Sequence, residues 1–575
     1  MQNSDHMQRM LRHILTHILS MAACIWLMQP AVAAVMAKTH MAAAAHPLAA
    51  EAGRQILRQG GAAVDAAIAV QAVLGLVEPQ SSGIGGGAFL LHWDQTRKQI
   101  TAYDGRETAP AGINPGWFMK PDGQPLGFRE AFTGGRSVGV PGVIAMLALA
   151  HEKHGKLPWA DLFAPAIKLA DQGFAVSPRL RLMLGAMQAL PEFSQARALF
   201  FSPQEPPRPL PEGALLRNPE YAGSLRAIAA NGPQAFYRGE LAQKMVAAVQ
   251  AHGGVLTLED LAGYQAKQRE PVCGMYRAYK ICGMPPPTSG GVAVLQILGM
   301  LENFEMSALA PDSVAALHLL AQAGRLAYAD RGLYLADSDA IEVPVKGLLD
   351  RRYLAGRAQQ IRLGQAAPAP VAAGQPRRQT SIEYAPNADG ALPSTSHVSI
   401  VDGQGNAISM TSSVEAPFGS HVMAGGFFLN NQLTDFSFAP VIDGLPVANA
   451  AAPGKRPLSS MAPTLVFGKD GALYASLGSP GGTRIIGYVA QTLVGLLDWG
   501  LDMQAAIDQP RLINRNGPLE LEAGTVLENL IPRFNALGHT AQAQPTFSGV
   551  QGIRILGGRL EGGADKRREG VALGD

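Results

Sequence analysis

Ser394-Thr395-Ser396-His397-Val398-Ser399-Ile400-Val401-Asp402-Gly403-Gln404-Gly405-Asn406-Ala407-Ile408-Ser409-Met410-Thr411-Ser412-Ser413-Val414 is the stretch that decides how this chain is read. Alternating apolar residues on either side of Asp-Gly-Gln-Gly predict a strand, a turn and a second strand. Folding about Gly403 and Gln404 returns Ser412 or Ser413 to a place opposite Thr395. Cross-strand pairs of hydroxyl residues are common in hairpins, so the pairing alone would be structural. Threonine is a poor nucleophile inside a chain. If the bond between Ser394 and Thr395 were cut, however, the Thr395 hydroxyl would gain its own α-amino group as a base.

The sequence on either side suits such a cut. Residues 363–394 include Ala-Ala-Pro-Ala-Pro-Val-Ala-Ala-Gly-Gln-Pro and Pro386-Asn-Ala-Asp-Gly, a composition that resists regular structure and predicts an exposed linker ending at Thr395. Beyond it the chain is strand-rich, with runs at 397–401, 406–413 and 463–467, interrupted by helical segments at 485–499 and 503–507. Before it, residues 48–76 read as two Ala-rich helices split at Gly60-Gly61, followed by paired strands near 81–93 and 100–104. Helices are then predicted at 143–154, 159–172, 221–230, 241–252 and 314–330. Strand-rich sequence with helices on both sides points to an α+β fold of layered sheets sandwiched by helices.

The 575 residues carry 47 Lys+Arg against 45 Asp+Glu and are 47% hydrophobic, which argues for a large globular core and against charge-driven nucleic-acid binding. Arg9 and Arg12, an apolar run from Ile14 to Met28 and Pro30-Ala-Val-Ala-Ala34 have the parts of a secretory signal peptide over 1–34, cut near Ala33. A cleavable signal places the protein in the periplasm or outside the cell; an uncleaved N-terminal anchor is the alternative. Cys24 lacks the setting of a lipid-attachment site. Cys273 and Cys282 are spaced for two strands of a hairpin, where a disulfide or two buried thiols would both fit. No ligand pattern suggests a metal, and no cofactor is expected.

Further along come Asn430-Asn-Gln432-Leu-Thr-Asp435, Lys455-Arg-Pro-Leu-Ser459-Ser460 and Gly478-Ser-Pro-Gly481-Gly482. Earlier in the chain stand Glu78-Pro-Gln-Ser-Ser-Gly-Ile-Gly-Gly-Gly87, Arg106-Glu-Thr-Ala-Pro110, Val138-Gly-Val-Pro-Gly142 and Pro285-Pro-Pro-Thr-Ser-Gly-Gly291. In this order, from about residue 46 to the C-terminus, the motifs make the chain resemble the γ-glutamyltranspeptidases, N-terminal nucleophile hydrolases made as self-cleaving precursors. The resemblance implies a four-layer αββα sandwich and a cut between Ser394 and Thr395 into a large subunit, 35–394, and a small catalytic subunit, 395–575, forming one structural domain. It implies transfer of the γ-glutamyl group of glutathione and related amides, through an ester on Thr395, to water, amino acids or dipeptides.

By the same resemblance Thr395 is the nucleophile, and Ser413 is the assisting hydroxyl at a position where threonine is usual, with Ser412 as second choice. Gly481 and Gly482 are the oxyanion donors. Arg106, helped by Ser459 and Ser460, takes the donor carboxylate, while Asp435 and Gln432 take its ammonium. Glu415 stands where an asparagine near the donor amine is common; its carboxylate can pair with an ammonium and would repel a second anion. The stretch 436–455 is shorter than the lid loop of several enterobacterial-type members and has no Tyr, which implies a more open pocket. Two readings compete with this one: a related acylase for other acyl amides, of the glutaryl-cephalosporin type, and a secreted binding protein that has kept the scaffold.

Three motifs are set aside. Gly83-Ile-Gly-Gly-Gly-Ala88 fits a dinucleotide fingerprint but follows a helical segment and precedes a strand, the reverse of that site. Ser479 lacks the pattern of a serine-hydrolase elbow. His397 reads as a strand residue rather than a base.

Overall fold

The computed structural model describes residues 33–378, 382–387 and 394–575. The expected signal peptide lies outside them apart from its last two residues, as do parts of the expected linker. Residues 363–378 form neither helix nor strand of any length, yet backbone groups tie them to the body: Ala366 N–H donates to Leu537 O at 2.6 Å, Val371 N–H to Asn516 Oδ1 at 2.8 Å and Gly374 N–H to Asp330 Oδ1 at 2.8 Å.

Two seven-stranded sheets stack face to face. One runs in the order Val571–Gly574, Met41–Ala44, Ser396–Val401, Ala407–Ser413, Gly87–Asp94, Gln99–Gly105, Lys267–Arg269. The other runs Val35–Ala37, Arg559–Ala564, Gln551–Leu556, Leu473–Gly478, Thr464–Phe467, Tyr279–Gly283, Val272–Tyr276. Every neighbouring pair in both sheets is antiparallel. Helices Pro47–Arg58 and Ala63–Val77 cover the outer face of the first sheet, and Gly290–Leu301 and Ile485–Leu497 cover that of the second. This is the expected α+β, four-layer arrangement.

The period of two in the opening hairpin assigns its faces. Val398, Ile400, Ile408 and Met410 point to the Ala-rich helices and are fully buried, each contributing about 2 kcal/mol. The intervening residues face the second sheet and are largely hydroxylic. Ser409 Oγ donates to Leu477 O at 2.9 Å, and Ser399 Oγ donates to Gln551 O at 3.3 Å. These small side chains stitch the sheets together where bulky ones would push them apart. The helix layer is equally close: a Cβ added at Gly53 would lie 2.8 Å from Val70 and 3.0 Å from Ala42.

Most predicted elements form within a residue or two of their expected bounds. The strand expected near 81–93 begins only at Gly87, the helix expected over 314–330 runs on to Tyr334, and 159–172 divides into a 3-10 turn, Trp159–Phe163, and a helix, Ala164–Gln172, where Pro165 sits in the first turn and suits a new start. Cys273 and Cys282 stand directly opposite each other in their hairpin and form a disulfide with a Cα–Cα distance of 4.2 Å.

Candidate active site

The register Ser396↔Ser412 puts Thr395 at the end of a central strand with Ser413 opposite. Thr395 Oγ1 and Ser413 Oγ lie 3.0 Å apart. Ser412 belongs to the other face of the strand, and its hydroxyl finds no partner among the described residues. Ser413 Oγ also accepts the Glu415 N–H at 2.9 Å, which fixes the hydroxyl's position. The approach is crowded: a Cβ on Gly86 would sit 2.0 Å from Ser413 O, so this glycine of the Gly83–Gly87 run lets the backbone pass close to the site.

Gly481 N–H donates to the Ser394 carbonyl oxygen at 3.3 Å. That oxygen belongs to the bond expected to be cut. Gly481 has φ 135° and Gly482 φ 58°, so the turn needs glycine, and it leads through Gly482–Arg484 into helix Ile485–Leu497 with its N-terminal positive end toward the site. Thr395 and Glu415 are non-glycine residues with positive φ, 98° and 80°; such strain is held only where surrounding contacts over-determine it.

Arg106, fully buried, donates from Nη2 to Asp435 Oδ2 at 2.5 Å and to Leu458 O at 2.9 Å, and from Nε to Pro457 O at 3.0 Å. Its Nη1 has no hydrogen-bond acceptor among the described residues and lies 3.6 Å from Glu107 Oε2. Gln432 Nε2 donates to Asp435 Oδ2 at 2.8 Å. Asn431 Nδ2 donates to Glu415 Oε2 at 2.5 Å, and Asn430 bonds Gly85 O, Gly139 O and Gly139 N–H, joining three loops behind the site. Burial pushes the Glu107 carboxyl up to about 8 against the pull of Arg106. Burial, reinforced by Asp435, also raises Glu415 well above the usual carboxylate range.

The two serines are held differently. Ser459 Oγ accepts the Met461 N–H at 3.1 Å, and Ser460 Oγ accepts from Arg331 Nη2 at 2.9 Å, while the carbonyls of the preceding Pro457 and Leu458 wrap Arg106. The stretch 436–455 is seated by Phe438, stacked on Phe118 at 4.6 Å, and by Asn449 Nδ2, which donates to Asp435 O at 2.6 Å. His397 is a strand residue between the sheets. Its Nδ1 pairs with Thr411 Oγ1 at 2.8 Å and its Nε2 with Ser399 Oγ at 3.1 Å, and burial pushes its imidazole down to about 3. Sequence reading gave no role to Glu107, although it directly follows Arg106, nor to Glu78, Asn431 and Arg568. Asn431 stands next to Gln432 in the quoted motif, a signal that could have marked it, whereas only folding places Glu78 and Arg568 beside the site.

A nucleophilic hydroxyl, a carbonyl held by a glycine amide and a buried Arg/Asp pair can together carry out acyl transfer from a charged donor. Comparison with known proteins gives this chemistry a lineage. A model of the gamma-glutamyltranspeptidase family matches residues 49–575. The chain is 38% identical over 548 residues to the glutathione hydrolase proenzyme of Bacillus subtilis (strain 168), covering 93% of this chain and 92% of that one. It is 38% identical over 545 residues to the glutathione hydrolase proenzyme of Escherichia coli (strain K12), covering 93% and 91%. Its fold is similar to the crystal structure of cephalosporin acylase from Bacillus halodurans, with a TM-score of 0.83 and 29% identity over 96% of this chain and 98% of that one. With the match running over nearly its whole length, the chain belongs to the gamma-glutamyltranspeptidase family.

Proposed function

We propose that the chain is a precursor that Thr395 itself cuts after Ser394, into a large subunit ending at Ser394 and a small subunit starting at Thr395. The cut protein is then a γ-glutamyltransferase with glutathione hydrolase activity. The observation that carries this reading is the Ser394 carbonyl, whose oxygen accepts the Gly481 N–H at 3.3 Å while the adjacent Thr395 hydroxyl is held by Ser413 at 3.0 Å. Attack of Oγ1 on that carbon breaks the C–N bond, forms an ester and leaves the Thr395 nitrogen as an amine. Water then hydrolyses the ester to free the Ser394 carboxylate and restore the hydroxyl. The new amine, with an ordinary α-amino pKa of about 8, is a base of useful strength near neutral pH.

In turnover the same hydroxyl attacks the γ-amide of the donor, its proton passing to the Thr395 amine and then to the leaving nitrogen. Gly481 and Gly482 meet the oxyanion. Arg106, with Ser459 and Ser460 beside it, takes the donor's α-carboxylate, and Asp435, Gln432 and Glu415 take its α-ammonium. Water or the amine of an amino acid or dipeptide then accepts the γ-glutamyl group. Export to the periplasm or beyond is part of the proposal. The N-terminal pattern of basic, apolar and Ala-x-Ala segments supports it, and a disulfide at Cys273–Cys282 suits an oxidising compartment.

Similarity to a cephalosporin acylase offers a second reading, and the charges around Arg106 separate the two. Asp435 pairs with this guanidinium, and the buried Glu107 and Glu415 resist ionising unless a cation arrives, so a donor bringing an ammonium is matched whereas a glutaryl donor sets only another anion beside Asp435. Like charges about 4 Å apart repel by about 4 kcal/mol at an effective dielectric of 20. Comparing a γ-glutamyl anilide with a glutaryl anilide should therefore give a kcat/KM at least about 100-fold higher for the first. Equal or reversed values would overturn this reading in favour of the acylase.

A further inference from the structure

The loop that follows helix Ala63–Val77 grips three consecutive residues across the Ser394–Thr395 bond. Ser394 Oγ donates to Gln80 O, Thr395 N–H donates to Ser81 O at 3.1 Å, and Ser396 Oγ donates to Glu78 Oε2 at 2.5 Å while accepting from Ser82 Oγ at 3.1 Å. From the other side Arg568, close to the C-terminus, donates from Nη1 to Thr395 O at 2.8 Å and from Nη2 to Phe547 O at 3.3 Å. Glu78 Oε1 faces Arg568 Nη1 at 3.6 Å and Arg179 Nε at 3.4 Å.

Glu78, Thr395, Ser396 and Arg568 are all buried. Burying a guanidinium is costly, and Arg568 Nε has no hydrogen-bond partner among the described residues, so this ion pair is a poor device for stability alone. Burial, with Arg179 adding repulsion, pushes the Arg568 guanidinium down to about 9. What the arrangement does is fix the Thr395 backbone at φ 98°, where a β-branched residue does not rest unaided.

Cleavage removes the covalent tether on the nitrogen side of Thr395. A chain end carrying a nucleophile must nonetheless stay placed, since a shift of about 1 Å can cost about 100-fold in rate. We infer that the Glu78–Ser82 loop and Arg568 form the seat of the freed end, with Arg568 a positioning residue that holds the Thr395 carbonyl and so keeps Oγ1 against Ser413. The inference rests on Thr395 being the nucleophile freed by cleavage. In the cut protein the Ser81 carbonyl, which accepts the peptide N–H, serves as acceptor for the amine. Glu78 locks the next residue through Ser396.

The test uses the full-length protein with Arg568→Gln, Arg568→Lys and Ser396→Ala. Precursor cleavage is followed by denaturing electrophoresis, and kcat and KM for a γ-glutamyl anilide are measured on the cut fraction, quantified by mass spectrometry. Arg568→Gln is expected to lower kcat about 10- to 100-fold with KM within about 3-fold, because the Arg106–Asp435 pocket is untouched, and Arg568→Lys to recover most of the loss. A cut Arg568→Gln protein with wild-type kcat overturns the inference, as does an equal loss in kcat and affinity. Should Arg568→Gln fail to fold, Ser396→Ala decides: kcat is expected to fall about 3- to 10-fold with KM within about 3-fold, and an unchanged kcat counts against the seat. If the wild type cuts itself but ignores γ-glutamyl anilides, the donor assignment has failed and the seat is judged by cleavage, which needs no donor. There Arg568→Gln should cut at least about 10-fold more slowly, and an unchanged rate overturns the inference.

Discussion

Arg106 Nη2 and Asp435 Oδ2, 329 residues apart in sequence, are bonded to each other at 2.5 Å. The opposite charges expected to receive a donor's head group thus form one pair, and Arg106 Nη1 stands beside it without a hydrogen-bond acceptor among the described residues. A γ-glutamyl head, with its carboxylate and ammonium, can engage both halves at once. Asp435→Asn keeps the shape and removes the charge, so KM for a γ-glutamyl anilide should rise about 10- to 100-fold with a smaller change in kcat. Steady-state kinetics on cut protein checks this, and an unchanged KM would place the ammonium elsewhere.

Thr395→Ala removes the attacking hydroxyl for both steps. The variant should run as one intact chain and lack activity, while the wild type gives two fragments, the smaller beginning at Thr395. N-terminal sequencing of that fragment settles the position. An active, intact wild-type chain would sink the mechanism.

Gly481→Ala strains a backbone at φ 135° and brings a Cβ to 2.7 Å from the Tyr488 ring. The turn must shift, and with it the N–H that meets the Ser394 carbonyl. Loss of one oxyanion donor costs about 100- to 1000-fold in kcat, and precursor cleavage should slow in parallel. A variant that cuts normally but turns over slowly would show that the two steps use different donors.

Glu415→Gln keeps the side chain's size and its contact with Asn431 while removing a carboxyl that burial holds back from ionising until an ammonium arrives beside it. The γ-glutamyl anilide should bind about 10-fold more weakly, and the gap to a glutaryl anilide should narrow by a similar factor. Substrate competition assays read both changes. A ratio that does not move would remove Glu415 from donor selection.

His397 carries a pH prediction. Its imidazole is pushed from 6.5 in the open chain to about 3 in the fold, so the unfolded chain binds the proton first. The stability it protects is whole above about 6.5 and is lost as pH falls toward 3. His92 and His539, both about 3, and His421, about 4, act in the same direction. His397→Gln should cost about 2 kcal/mol at pH 7.5 through lost buried hydrogen bonds, yet its melting temperature should fall less steeply than that of the wild type between pH 6.5 and 4. Parallel curves would show that this imidazole does not titrate on unfolding.

Local rules made much of the hairpin and the helices legible. The alternation at 397–413 gave strands, faces and turn, and Gly60-Gly61 gave the break between a half-buried helix and a fully buried one. The helix expected over 159–172 was less legible, because Pro165 breaks the continuity that apolar periodicity alone suggests. The hairpin alone left Ser412 and Ser413 open and the family resemblance favoured Ser413; the register, in which one residue reverses faces, puts the Ser413 hydroxyl 3.0 Å from that of Thr395.

Local alternation supplied the hairpin that returns a hydroxyl toward Thr395, whereas the expected roles of Thr395, Gly481, Gly482, Arg106 and Asp435 came from the order of short motifs shared with the family. Tertiary structure alone decided that Arg106 and Asp435 bond to one another, that Cys273 meets Cys282, and that Glu78, Ser81 and Arg568 close around Thr395. Apart from the disulfide, whose cysteines are nine residues apart, those contacts join residues more than a hundred positions apart. They form only when the two sheets stack and burial forces each polar group to find a partner, a condition that no local pattern encodes.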